Sequence, residues 1–101
     1  MKKQSAACPI GKVVSLVGDS CSILIIRDLL EGPKRFSELE ASLSISTRTL
    51  AKKLKHLEHE DMVTRGTVQE EPRCTKYRLA KKGAAFHKVV DAMSVYGKKY
   101  L

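Results

Sequence analysis

Arg48, Lys52, Lys55 and His59 recur at intervals of four, three and four residues, so on a helix they share one edge. Leu50, Leu54 and Leu57 recur in the same way on the opposite edge. Thr49 and His56 flank the cationic stripe, Thr47 falls in the first turn, and Ser46 stands just before it. Arginine can grip guanine bidentately, threonine can touch a thymine methyl group or a phosphate, and lysine suits phosphate. A helix held to a core by its leucines, with these groups on its outer edge, fits the major groove of duplex DNA. Charge opposite an apolar stripe also describes an ordinary solvated face. The setting of the helix in the chain separates the two readings.

That setting is a helix-turn-helix. Phe36 to Ser42 reads as a short helix with Phe36, Leu39 and Leu43 inward, and Leu43-Ser44-Ile45 as a tight turn. Ser46 then caps a longer helix that runs to about Glu60. Two helices joined by about three residues, the second one basic, form the DNA-reading motif. Upstream, Pro9 suits the first turn of a helix carrying Ile10, Val13, Val14 and Val17, which Gly18 ends. Asp19 or Ser20 caps the next, whose Cys21, Ile23, Leu24, Ile25, Ile26 and Leu29 mark it as the central core helix. It stops at Glu31-Gly32-Pro33, where glycine takes the left-handed turn and proline blocks continuation.

After Asp61 the hydrophobic period changes to two. Met62 to Gln69 and Thr75 to Leu79 read as strands, with Glu70-Glu71-Pro72-Arg73 as a polar hairpin tip, and the whole as a wing. Arg73, with Arg65, Lys76 and Arg78 on the strands, lies along the DNA backbone or reaches a minor groove in this reading, and Glu70 and Glu71 oppose it locally. Lys34 and Arg35, just before the short helix, are phosphate clamps or plain loop charges. From about Lys81 the helical period returns, with Phe86, Val89, Val90, Met93 and Tyr96 on one side. The expected fold class is therefore α+β, mainly α: a winged helix-turn-helix with helical extensions at both ends. Residues 36–60 form its helix-turn-helix and 62–79 its wing, within one domain spanning 1–101.

Bulk properties agree. Lysine and arginine number 19 against 11 acidic residues, so the 101-residue chain carries a formal charge of +8 and attracts polyanions. The longest apolar stretch, Ile23 to Ile26, is too short to span a bilayer, and no apolar run of signal-peptide length follows the first lysines. No membrane partner is therefore expected, and Cys8, Cys21 and Cys74, odd in number and widely spaced, suit a reducing cytoplasm. His56 and His59 sit three apart, but two histidines do not make a zinc site. No phosphate loop, nucleophilic triad or paired carboxylates stand out, so no enzymatic activity, cofactor or metal is expected. The remaining rival is a winged helix used for protein–protein contact, which would have little need of the basic stripe.

The residues also carry a family resemblance. Cys8-Pro-Ile, Gly18-Asp19, Ile23-Leu-Ile-Ile-Arg-Asp-Leu-Leu30, Gly32-Pro-Lys-Arg-Phe-Ser-Glu-Leu39 and Ile45-Ser-Thr-Arg-Thr-Leu50 closely resemble the HxlR-type regulators. So do Leu54-Lys-x-Leu-Glu58, Val63-Thr-Arg65, Pro72-Arg73, Tyr77-x-Leu79 and Gly83. The chain departs from the family where Ser20-Cys21 replaces the usual Lys-Trp and where Ala80 replaces threonine. The resemblance implies a prokaryotic winged-helix regulator related to the MarR type, dimeric through its terminal helices, bound to two-fold-related operator half-sites. It also implies, for some members, sensing of oxidants or electrophiles through a cysteine at the position of Cys8.

The resulting expectations are specific. Double-stranded DNA meets Arg35, Ser46, Thr47, Arg48, Thr49, Lys52, Lys55 and Arg73. A homodimer forms through residues 1–17 and 81–101, with Ile10, Val14, Phe86, Val90, Met93 and Tyr96 at the interface, because so small a core cannot cover them all. Cys8 is a candidate redox switch for an oxidant or small-molecule effector: it precedes a helix N-terminus, where backbone N–H groups favour an anion, and Lys2, Lys3 and Lys12 are near. A small cysteine packed at the dimer seam is the alternative.

Overall fold

The computed structural model describes residues 8–68 and 71–101, and side chains for 8–67 and 75–101. The helix α1 (Pro9–Val17) begins with proline at its first turn, and α2 (Ser20–Leu29) follows across a bend of 84°. Asp19, not Ser20, caps α2: its carboxylate accepts the Ser22 N–H at 2.8 Å and the Ser22 hydroxyl at 3.0 Å. Buried Ser22 is thereby satisfied, as an interior hydroxyl must be. Gly32 adopts φ 140°, a conformation that favours glycine, and turns the chain into β1 (Lys34–Arg35). Next come α3 (Phe36–Leu43), α4 (Thr47–His59), β2 (Val63–Val68), β3 (Glu71–Leu79), α5 (Lys81–Ala84) and α6 (His87–Tyr100).

The strands form an antiparallel sheet in the order β1-β3-β2. The molecule is thus a winged helix, with Ile25, Ile26 and Leu29 of α2 at its centre. Leu39, Leu50, Leu54 and Leu57 close on them from α3 and α4, and Met62, Val63, Tyr77 and Phe86 from the sheet side. Burial of a large apolar side chain is worth about 1.5–3 kcal/mol, so this cluster dominates the stability. Among the described residues no single helix is long and apolar enough to cross a membrane.

Four features differ from the sequence expectation. Lys34 and Arg35 are a strand paired to Tyr77 and Lys76, not a loop. The strand β3 starts at Glu71, so Glu71, Pro72 and Arg73 belong to a strand instead of the hairpin tip, while Gln69 and Glu70 lie outside the described residues. Cys21 is only half-buried although its helix is central. The last helix is two pieces, because Phe86 drops into the core and interrupts it at Ala85–Phe86. Ala80, where a capping side chain is absent, indeed starts α5 without a side-chain cap. Gly83 lies so close to the sheet that a Cβ there would stand 2.1 Å from the Met62 carbonyl oxygen, so only glycine fits.

Candidate nucleic-acid interface

The turn between α3 and α4 is made by Ser44 in the left-handed conformation, φ 52°, its N–H donating to the Glu40 carbonyl. Ser46 then caps α4: its Oγ accepts the Thr49 N–H at 3.1 Å. With Leu50, Leu54 and Leu57 buried, the opposite edge turns to solvent, and Arg48, Lys52, Lys55 and His59 are all exposed on it. The amphipathic geometry expected of a reading helix is present.

The hydroxyls are less free than their types suggest. Thr47 donates its proton to the Glu40 carboxylate, and Ser46 donates to Thr49 Oγ1 at 2.9 Å. A hydroxyl has one proton and phosphate only accepts, so Ser46 is committed to capping α4 and Thr47 to holding it against α3. Thr49, as the acceptor, keeps its own proton, though its side chain is half-buried.

Three further contacts fix the axis of α4. His56 Nε2 lies 3.0 Å from the Leu16 carbonyl oxygen, near the end of α1, so this histidine is bound to the body of the protein rather than offered to a phosphate. Lys53 Nζ sits 3.5 Å from Asp19 Oδ2. Lys82 of α5 donates to the Glu60 carbonyl at 3.0 Å, satisfying an end of α4. Partial burial pushes the Asp19 carboxyl up, but the Ser22 N–H and hydroxyl and the Lys53 ammonium outweigh it and hold it below the usual aspartate value. His56 and His59 do not converge on a third ligand; among the described residues no group of three His, Cys, Asp or Glu is placed to hold a metal ion.

The sheet register sorts the cations of the wing. Arg65 lies opposite Tyr77 and Val63 opposite Leu79, so Arg65 stands on the sheet face that meets α4. Lys76 and Arg78 alternate onto the other face. Arg35 is exposed beside them, opposite Lys76, and its N–H donates to Glu38 Oε1 at 2.7 Å. That N–H holds the Glu38 carboxyl below its ordinary value against slight desolvation, with Lys76, Lys34 and Arg35 adding to the effect. Arg73 is in β3, and its side chain lies outside the described residues, as does that of Cys74. Lys53, Glu40 and Glu58 bond or pair around α4 without having been among the expected site residues, and Arg65, expected only as a strand cation beside Arg73, joins them through Glu58. Strand alternation was the available signal for Arg65; the other three depend on neighbours distant in sequence or across a turn.

The expected association face is mostly open. Ile10 and Val14 of α1 and Met93 and Tyr96 of α6 are exposed, and not one residue of α6 is buried. Phe86 is the exception, at 8% exposure a member of the chain's own core, and Val90 packs partly against that core. Between α1 and α6 lies an apolar groove of about 230 Å³ walled by Val13, Leu16, Met62, Phe86 and Val89. At the far end of α1, exposed Cys8 is the helix cap, and its Sγ accepts the Gly11 N–H at 3.1 Å. Lys2 and Lys3 lie outside the described residues.

Residues 16–101 match the HxlR-like helix-turn-helix family. The helix-turn-helix transcriptional regulator YvaP of Bacillus subtilis (strain 168) is 36% identical over 97% of this chain and 93% of its own length. The reduced form of the regulator YodB from B. subtilis superposes with a TM-score of 0.80 at 36% identity, covering 92% of this chain and 93% of YodB. YodB has also been solved with quinone bound, at a TM-score of 0.78, 34% identity and 92% and 99% coverage. The oxidised form of the redox regulator HypR gives a TM-score of 0.82 at 25% identity, over 93% of this chain and 98% of HypR. These relatives are regulators, not enzymes, and with the winged helix already described they place the molecule: the chain belongs to the HxlR-like helix-turn-helix family of transcriptional regulators.

Proposed function

We propose that this regulator is a cytoplasmic homodimer that binds operator DNA sequence-specifically through the outer edge of α4 and answers oxidants or electrophiles at Cys8. The observation that carries the DNA reading is the exposure of Arg48, Lys52 and Lys55 on a helix whose three leucines are buried. Arg48 is the base reader, by bidentate contact to guanine; Lys52 and Lys55 neutralise phosphates. Thr49 is the hydroxyl with a proton to donate, while Ser46 and Thr47 position the helix. Arg35 and Arg73 serve as outlying backbone contacts.

Dimerisation is supported by α6. Isolated helices of this length are marginal in water, and this one buries none of its residues in its own chain. A second copy set against Ile10, Val14, Val90, Met93 and Tyr96 supplies the missing cover. The quinone-bound form of YodB and the oxidised form of HypR support an oxidant or electrophile as effector, and Cys8 is an exposed cysteine at the N-terminus of α1.

Selection of bound duplexes from a random DNA pool tests the reading. Two related half-sites about one helical turn apart are expected. The Arg48, Lys52, Lys55 triple alanine variant should lose affinity for the best duplex, and unchanged affinity would show that α4 is not the reader. Arg48→Ala alone should relax base preference at one position per half-site, by about 1–3 kcal/mol.

A further inference from the structure

The cleft between α4 and the wing has a volume of about 380 Å³ and is lined by Ala51, Lys55 and Glu58 of α4 and by Arg65 and Tyr77 of the sheet. Two cations reach it from different elements, one from the helix and one from β2. Within it, Arg65 Nε lies 3.6 Å from Glu58 Oε1. We propose that this cleft seats one backbone phosphate of the DNA duplex on Lys55 and Arg65, and that Glu58 fills the seat as an internal anion until the duplex displaces it. The proposal rests on the DNA-binding reading above and assigns a regulating residue within it.

Three observations converge. Ala51, Lys55 and Glu58 follow one another at intervals of four and three residues, so they form a single flank of α4 beside its reading edge. The register Arg65–Tyr77 turns Arg65, alone among the wing cations with described side chains, toward that flank. Ala51 lines the same cleft and is the smallest of its lining side chains. The Glu58–Arg65 pair is also loose: 3.6 Å is an ion-pair distance outside normal hydrogen-bond range. The Arg65 side chain is 56% exposed and that of Glu58 28%, so water screens the attraction. A phosphate diester offers two oxygens to the planar guanidinium and a second cation, Lys55, to share its charge. The carboxylate therefore yields when a duplex docks, but it must be displaced each time, and so it holds down affinity for DNA of any sequence.

A double-mutant cycle on the full chain tests this exchange, reading affinity for a labelled duplex of arbitrary sequence across a salt series, with thermal melts on each variant. Arg65→Gln should reduce the magnitude of the log–log salt slope by about 0.9, one phosphate's worth of released counterions. Arg65→Lys should retain it. Glu58→Gln should tighten binding several-fold in the parent chain and lose most of that gain in the Arg65→Gln background. An equal gain in both backgrounds would mean general charge repulsion and overturn the proposal, as would an unchanged slope in Arg65→Gln. Should Arg65→Gln melt below the assay temperature, unchanged or weaker duplex binding by Glu58→Gln still refutes the exchange. Failure of the parent chain to bind any duplex at low salt overturns the DNA reading itself, which separates the two failures.

Discussion

His56, on the outer half of α4, donates from Nε2 to the carbonyl oxygen of Leu16, forty residues earlier near the end of α1, at 3.0 Å. The last carbonyls of a helix have no partner within it, so the bond satisfies an orphan acceptor. It also joins α4 to the helix whose other end is capped by Cys8. His56→Ala should therefore lower stability by about 0.5–1.5 kcal/mol, the usual net worth of one hydrogen bond, as measured by urea unfolding. A loss of duplex affinity without loss of stability would instead make His56 a phosphate ligand.

Acid should act through Asp19. Its carboxyl is held below the usual aspartate value in the folded chain, so the unfolded chain binds more protons between the two values. The stabilisation is complete above about pH 4–5 and disappears as pH falls through the folded value. Asp19→Asn, which keeps a capping oxygen but not the charge facing Lys53, should be less stable than the parent near neutrality and converge with it in acid. Parallel stability–pH curves would refute this assignment.

Phe86 and Met93 lie seven residues apart in the segment expected to dimerise, yet they should behave differently. Phe86 is buried in its own core, and Phe86→Ala should cost about 3–5 kcal/mol in thermal or urea unfolding. Met93 is about half-exposed, so Met93→Asp should leave the fold intact while shifting sedimentation from dimer to monomer and weakening operator binding with it. A parent chain that sediments as a monomer at low micromolar concentration would remove the basis for this prediction.

Cys8→Ser separates chemistry from capping. Serine is a good helix cap, so α1 should persist while the sulfur is lost. Diamide or a quinone should change operator affinity in the parent chain and in a Cys21→Ser, Cys74→Ser variant, but not in Cys8→Ser. Unaltered affinity after confirmed modification of Cys8 would show that this residue only caps the helix.

Much of the fold was legible because it is written locally. The three leucines of α4, the Ser46 cap and the Gly32-Pro33 stop act within a turn or two of themselves, and each element they bound appears within a few residues of its expected place. Periodicity of charge likewise put Arg48, Lys52 and Lys55 on one exposed edge. What short-range pattern does not carry is the destination of a side chain. An aromatic on helical spacing looks the same whether it meets its own core or a second copy, and Phe86 turned inward while Met93 and Tyr96 stayed out. A histidine beside a cationic stripe reads as part of it until a carbonyl forty residues away takes its proton donor. Two residues, Lys34 and Arg35, are too few to show a strand period; pairing with β3 makes them one. The residues by themselves determined the order of the elements and the helix that faces outward, because those follow from backbone preference and the spacing of apolar groups. The placement of Arg65 opposite Tyr77 and against Glu58 was decided only in three dimensions, because strand register and the approach of a helix to a sheet are set by the burial of the whole core.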